Sequence, residues 1–323
     1  MSETASSTIH STYFPGLDIL KFALAVLIVA VHCAFLIEVH GVARQFIDIV
    51  ESFLIPTFFA VSGFLFYSRI DEPGAFKKYI KRIATIFLVW YVLMLPLTYV
   101  TFFSYASIDG IIFAILFSCT LLGYWYFKAL IINTIILYMA NKRGKLVFNI
   151  ALLCALLPYC FVAYNSSVFH VDLMFWPSYT FYYNAAFLAV GVLYSKYYNR
   201  IPALLNKKAI LIPAAIVLTI CCLNPDFHTF CRLIMPMVLL LIFINVKSSN
   251  SELCRKLRAM SILFYTMQFA IIYIYDSACN HFIYNKILNN SVLRLSIVIM
   301  ILYLASALIL RYEKHYKFLS YLH

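Results

Sequence analysis

Between Phe14 and Ile37 an apolar run long enough to cross a bilayer carries three side chains foreign to hydrocarbon, Asp18, Lys21 and His32. A charge at membrane depth costs roughly 2.5 to 3.5 kcal/mol or more, so such residues mark a functional site by default. Their spacing gives them a common face. In an α-helix eleven residues bring Lys21 and His32 back to within about 20° of each other and separate them by roughly 16.5 Å along the axis. Asp18 joins the stripe three residues before Lys21. A fixed cation can hold phosphate oxygens. An imidazole, with an unperturbed pKa of about 6.5, can take a proton from a hydroxyl or attack an acyl carbon itself. The stripe therefore offers an anion-binding end and a catalytic group about three turns deeper. The plainer alternatives are an Asp18 to Lys21 ion pair and a His32 that only bonds to a neighbouring helix.

Other candidates follow in chain order. A second apolar run, Phe46 to Tyr67, carries Asp48 and Glu51 one turn apart at its outer end, where they could orient His32 or an acceptor. Its inner half, IPTFFAVSGFLFY, holds Ser62 and Gly63; a Ser-Gly pair serves either a site or the close approach of two helices. FKKYIKRIATIFLVWY then supplies a basic turn with Arg82 before a third span, Ile83 to Phe103. Trp125 stands in GYWYFKALIINTIILYMA, where it either contacts an acceptor or belongs to an interfacial aromatic belt.

This order of features resembles the membrane-bound acyltransferase 3 family. The shared marks are a basic residue and a histidine with ten residues between them in the first helix after a Leu-Asp pair, the Ser-Gly phrase, the basic stretch at Arg82, the Trp-aromatic segment, and the aromatic-rich FYYNAAFLAVGVLY. Two positions depart from it. Lys21 stands where the family usually has Arg, and lacks the planar fork of a guanidinium. In AMSILFYTMQFAIIY, Gln268 replaces the histidine of a late Tyr-x-x-His helix. The resemblance implies transfer of an acyl group, acetyl foremost, from acyl-CoA to a hydroxyl of an envelope saccharide or glycolipid. On this basis His32 and Lys21 are the catalytic pair. Lys21 and Arg82, with Ser62 and Gly63, hold the donor, and Asp18, Glu51, Asp48 and Trp125 orient groups or meet the acceptor. Acyl-CoA is then a substrate; no tightly bound cofactor and no metal are expected.

Composition sets the frame for these residues. Of 323 residues 64% are hydrophobic and 12% charged, with a mean hydropathy of +0.89, which describes a chain that lives in lipid. Nucleic acid is not the expected partner of its 25 Lys and Arg against 13 Asp and Glu, because most of them sit in short loops between spans, where they face anionic lipid. The nine cysteines fall mostly inside apolar runs and show neither a C-x-x-C pair nor zinc spacing. The first dozen residues lack the basic region and cleavage site of a signal peptide, so the first helix should stay in the mature protein.

Five segments, Ser68 to Arg82, Asn141 to Lys145, Lys196 to Lys208, Lys247 to Arg258 and Arg311 to His323, hold 19 of the 25 Lys and Arg. They share one side of the membrane if the stretch Ile108 to Leu122 does not cross and the loop Asn165 to Ser178, free of Lys and Arg, lies opposite. The expectation is an all-α polytopic membrane protein of about ten transmembrane helices with both termini cytoplasmic. Residues 1–323 form a single membrane domain, with 1–13 a short polar segment and 313–323 a cytoplasmic tail, in the plasma membrane, the inner membrane of a bacterium. Two rivals keep the polar stripe but change its use. A transporter or flippase of a lipid-linked sugar would line a pathway with it. A non-catalytic scaffold would tolerate replacement of Lys21 and His32.

Overall fold

The computed structural model describes residues 13–98, 107–108, 124–169, 181–200, 208–282 and 290–323. Among them the regular structure is helical, without strands. The helices, in chain order, are α1 Pro15–His32, α2 Val42–Tyr67, α3 Ala75–Thr98, α4 Trp125–Lys142, α5 Lys145–Phe169, α6 Phe181–Tyr197, α7 Lys208–Cys221, α8 Pro225–Ile244, α9 Ser251–Phe282 and α10 Ser291–Tyr312. Two 3-10 turns, Tyr198–Arg200 and Lys317–Leu322, follow α6 and α10. Among the described residues, five segments are long and apolar enough to cross a membrane: α1, α2, Ala75–Leu97 of α3, Ser251–Cys279 of α9, and α10. Most of the stretch Ile108 to Leu122 lies outside the described residues. So does the loop expected at Asn165 to Ser178 beyond residue 169, while residues 165–169 continue α5.

Helix α1 opens on Pro15, whose missing N–H costs nothing in a first turn, and carries Asp18 in that turn, where a negative charge suits the helix dipole. It stops at His32, short of the expected Ile37, because Ala34 and Leu36 take left-handed backbone, φ 51° and 55°, which cannot continue a right-handed helix. Helix α10 holds this turn: Arg294 Nη1 donates to the Cys33 carbonyl at 3.4 Å, and Leu36 N–H donates to Ser291 Oγ at 3.1 Å. His32 therefore ends α1 rather than lying inside it. A second correction concerns Lys77, Lys78, Lys81 and Arg82, which lie within α3 and not in a turn before it. Nothing after Gly74 breaks a helix there, and Lys and Arg are good helix formers.

Pro56 inside α2 cannot donate to the Ser52 carbonyl four residues earlier. Arg232 of α8 takes that place, its Nε donating to the Ser52 oxygen at 2.9 Å, so the freed acceptor is satisfied between helices. Helices α1 and α9 run side by side in the same direction. Asp18 meets Arg258 at one end, Phe22 meets Phe264 at 5.3 Å between ring centres, and His32 meets Phe269 at the other end. Helices α2 and α6 also run parallel and close: Gly191 lies against the backbone of Ala60, and Phe64 packs on Tyr194. Outward faces carry exposed apolar stripes, Leu146, Ile150, Leu153, Leu157 and Phe161 on α5 and Met300, Leu304 and Leu308 on α10. That inversion of a water-soluble pattern is what a lipid solvent favours.

Gly63 belongs to this packing. A Cβ there would collide with the Leu188 carbonyl of α6, so the residue lets two helices touch and does not face a cavity, contrary to its expected place with the donor. Gly63→Ala should cost about 1–3 kcal/mol through overpacking, read as a lower thermal midpoint of the purified protein. An unchanged midpoint would mean that α2 and α6 do not meet at this position.

Candidate active site

Two cavities meet where α1, α3 and α9 come together. The larger, about 500 Å³, opens between the start of α1 and the α2–α3 turn. It is lined by the basic residues Lys21, Arg69, Lys78, Arg82 and Arg258 and by the acidic Asp18 and Glu72. The smaller, about 130 Å³, is an apolar slot walled by Ile55, Phe58, Ile86 and Leu130, with the hydroxyls of Ser62, Tyr126, Tyr265 and Ser261 in its lining. Lys21, Tyr79, Arg82 and Arg258 line both, so three cations stand where the two spaces join. Neither Lys21 nor Arg82 has an ion-pair partner among the described residues. Cationic side chains lodged in a low-dielectric recess, with one of the two lining carboxylates acting on all three, make a receptor for anions.

That carboxylate is Asp18, 2% exposed, and it is not paired with Lys21. Arg258 donates to it twice, Nε to Oδ1 at 2.7 Å and Nη2 to Oδ2 at 2.8 Å, and the Tyr13 hydroxyl donates to Oδ2 at 2.9 Å. Burial and the Asp18 hydrogen bond push the Tyr13 phenol up to about 12, so it stays a donor at any physiological pH. Arg258 is the residue that sequence reasoning counted only as loop charge. A signal for it existed in the periodicity of α9, since Arg258, Ser261, Ile262 and Tyr265 fall at i, i+3, i+4 and i+7 and all line the slot.

In the slot, Ser62 Oγ and the Tyr126 hydroxyl lie 3.0 Å apart. The structure thus brings Lys21, Arg82, Ser62 and Asp18 together and leaves the other expected site residues elsewhere. Asp48 and Glu51 stand on the first half of α2 and both face Arg44, at 2.5 and 3.4 Å. Trp125 begins α4, half-buried, with its ring 6.3 Å from that of Phe59. Gln268 is fully buried, its Nε2 donating to the Tyr265 carbonyl at 3.1 Å while its Oε1 has no partner among the described residues.

His32 lines neither cavity. Its ring packs on Phe269 with 4.5 Å between centres, and it makes no hydrogen bond among the described residues. On the face that joins it to Lys21 stand Ala25 and Ile28, 0% and 3% exposed, so packed apolar groups separate the cation end of the stripe from the imidazole. Around the His32 end lie the Asp276 and Arg294 pair at 2.6 Å and Glu38, which accepts the Ser291 hydroxyl at 2.7 Å. The Ser291 hydrogen bond holds the exposed Glu38 carboxyl below the usual carboxylate range.

A chain whose described residues are helical, with helices long and apolar enough to span and exposed apolar stripes, is an integral membrane protein. Comparison with known proteins gives its family: a family model described as an acyltransferase domain matches residues 14–312. The chain belongs to the acyltransferase 3 family. It is also similar to a protein of Enterococcus faecalis named an amino-acid racemase, 32% identical over 139 residues. That match takes in 40% of this chain and 19% of the other protein, so the chain spans about a fifth of that relative's length. No solved structure matches.

Proposed function

We propose that the protein moves a short acyl group, acetyl foremost, from acyl-CoA to a hydroxyl of an envelope saccharide or glycolipid. The observation that carries this reading is the junction of three cations, Lys21, Arg82 and Arg258, between an open cavity and an apolar slot. A donor whose head carries several phosphates and whose arm is long and largely uncharged matches that sequence of environments, phosphates at Lys21 and Arg82 and arm toward the slot. His32, at the opposite end of α1, suits the acceptor side, where the Asp276, Arg294 and Glu38 side chains offer the hydrogen-bonding groups a sugar needs. Acyl-CoA is a substrate here, with membrane lipid around the helices.

The same reading places the protein in the plasma membrane with ten crossings and both termini cytoplasmic. The parallel course of α1 with α9 and of α2 with α6 supports alternate crossing directions, as does the gathering of Lys and Arg at one set of turns. In a chain whose native cysteines are replaced, Arg143→Cys should label with a membrane-impermeant maleimide only after cells are opened, and His40→Cys in intact spheroplasts. Labelling of both from the same side would overturn the ten-crossing arrangement.

The function is tested with purified protein, labelled acetyl-CoA and envelope glycan extract. Base-labile label on the glycan is the expected result. Movement of a lipid-linked sugar across proteoliposomes, with no label transferred from any short acyl-CoA, would instead establish the flippase.

A further inference from the structure

We propose that Arg258 is a third phosphate-binding residue for the donor, and that buried Asp18 is the positioning residue that aims it. The assignment rests on the acyl-CoA reading and adds to it a residue from the ninth helix. Asp18 takes Arg258 side-on, through Nε and Nη2, which fixes the guanidinium plane. Neither Asp18 hydrogen bond uses Nη1, the Tyr13 hydroxyl is a further polar neighbour of the guanidinium, and the side chain, 36% exposed, lines both cavities beside Lys21 and Arg82. A guanidinium already held in plane loses little side-chain entropy when it meets a phosphate, and the N–H groups not given to Asp18 match two phosphate oxygens. Lys21 is a point charge on a flexible stem and supplies no such fork. The fork that Lys21 lacks is therefore provided from α9.

A purely structural account would give the pair one task, to join α1 to α9 through the membrane. That task explains the ion pair but not why it lines a recess holding two cations without an ion-pair partner among the described residues. Tyr13 fits the positioning role as well: its hydroxyl occupies Asp18 Oδ2, and its ring lies 5.4 Å from the Arg258 guanidinium carbon, closing one flank of the fork.

The test uses the full chain in nanodiscs, with binding of coenzyme A itself measured by calorimetry and transfer kinetics measured alongside. Arg258→Ala alone would strand a buried carboxylate and can unfold the protein, so the informative variant is the neutral, hydrogen-bonding pair Asp18→Asn with Arg258→Gln. The expected result is a Kd for coenzyme A raised at least about 10-fold, the scale of one lost charge-assisted hydrogen bond, with the thermal midpoint close to that of the parent. Asp18→Asn with Arg258 intact should raise KM for acyl-CoA about 3- to 10-fold with kcat little changed, and Asp18→Glu should recover most of the loss. A double variant that binds coenzyme A as the parent does, while Lys21→Gln binds it more weakly, would overturn the assignment of Arg258 and leave the donor reading standing. A parent chain that does not bind coenzyme A would overturn both.

Discussion

Replacing His32 by Ala should lower the rate of acyl transfer at least about 100-fold, within the roughly 10² to 10⁴ that a positioned general base contributes. Affinity for coenzyme A and the thermal midpoint should stay near those of the parent. Both halves of this expectation follow from where His32 stands. It makes no hydrogen bond among the described residues and leans on Phe269, so its loss breaks no polar network. It also lies about three turns of helix from the cations at the cavity junction, too far to touch a phosphate held there. The distance makes a further demand, because Ala25 and Ile28 fill the face between the two ends. For donor and acceptor to meet at His32, the acyl group must cover the roughly 16.5 Å of helix between the two ends. A sequential reaction gives intersecting double-reciprocal lines, the expected pattern. Parallel lines, or an acylated chain trapped without acceptor, would instead mean that the group rests on the protein, with Ser62 in the slot and His32 as the candidate nucleophiles. A His32→Ala variant of normal activity would remove the catalytic role.

The membrane class of this chain and its first helix were legible because charge in an apolar run is rare and costly, so Lys21, Asp18 and His32 stand out without any knowledge of what surrounds them. The ends of helices were less so. Lys77 to Arg82 looks like a turn by charge, yet the same residues are good helix formers, and only the packing of α3 on its neighbours separates the two. Residues that act across helices were legible in part. The Leu-Asp pair drew attention to Asp18, but its partner lies 240 positions later, a separation that no local pattern spans. Ser62 and Gly63 show the limit most plainly: adjacent residues on a helix point about 100° apart, so one faces the slot and the other the backbone of α6. The place of Asp48 and Glu51 near the start of α2 suggests a site role, yet Arg44, one turn before the first and two before the second, engages both.

Reversing the charge at position 21 should affect the donor more than any other single change. Lys21→Glu removes one charged contact to phosphate, itself about 1.5–3 kcal/mol, and sets a carboxylate beside Arg82 and Arg258, where it competes with the ligand for both. At about 1.4 kcal/mol per decade, the two effects together should raise KM for acyl-CoA, and Kd for coenzyme A, at least about 100-fold. Lys21→Arg keeps the charge and should stay within about threefold of the parent, since the cavity of about 500 Å³ has room for the larger head. Arg82→Ala should fall between them, at about 10-fold. Of the basic residues near it in α3, Lys78 also lines the large cavity, whereas Lys77 and Lys81 line neither, so little substitutes for it. The salt dependence gives an independent check, because donor binding through several phosphates weakens as ionic strength rises, and Lys21→Glu should flatten that dependence. If Lys21→Glu bound coenzyme A with the parent's affinity and the parent's salt dependence, the cation junction would not be where the donor phosphates sit.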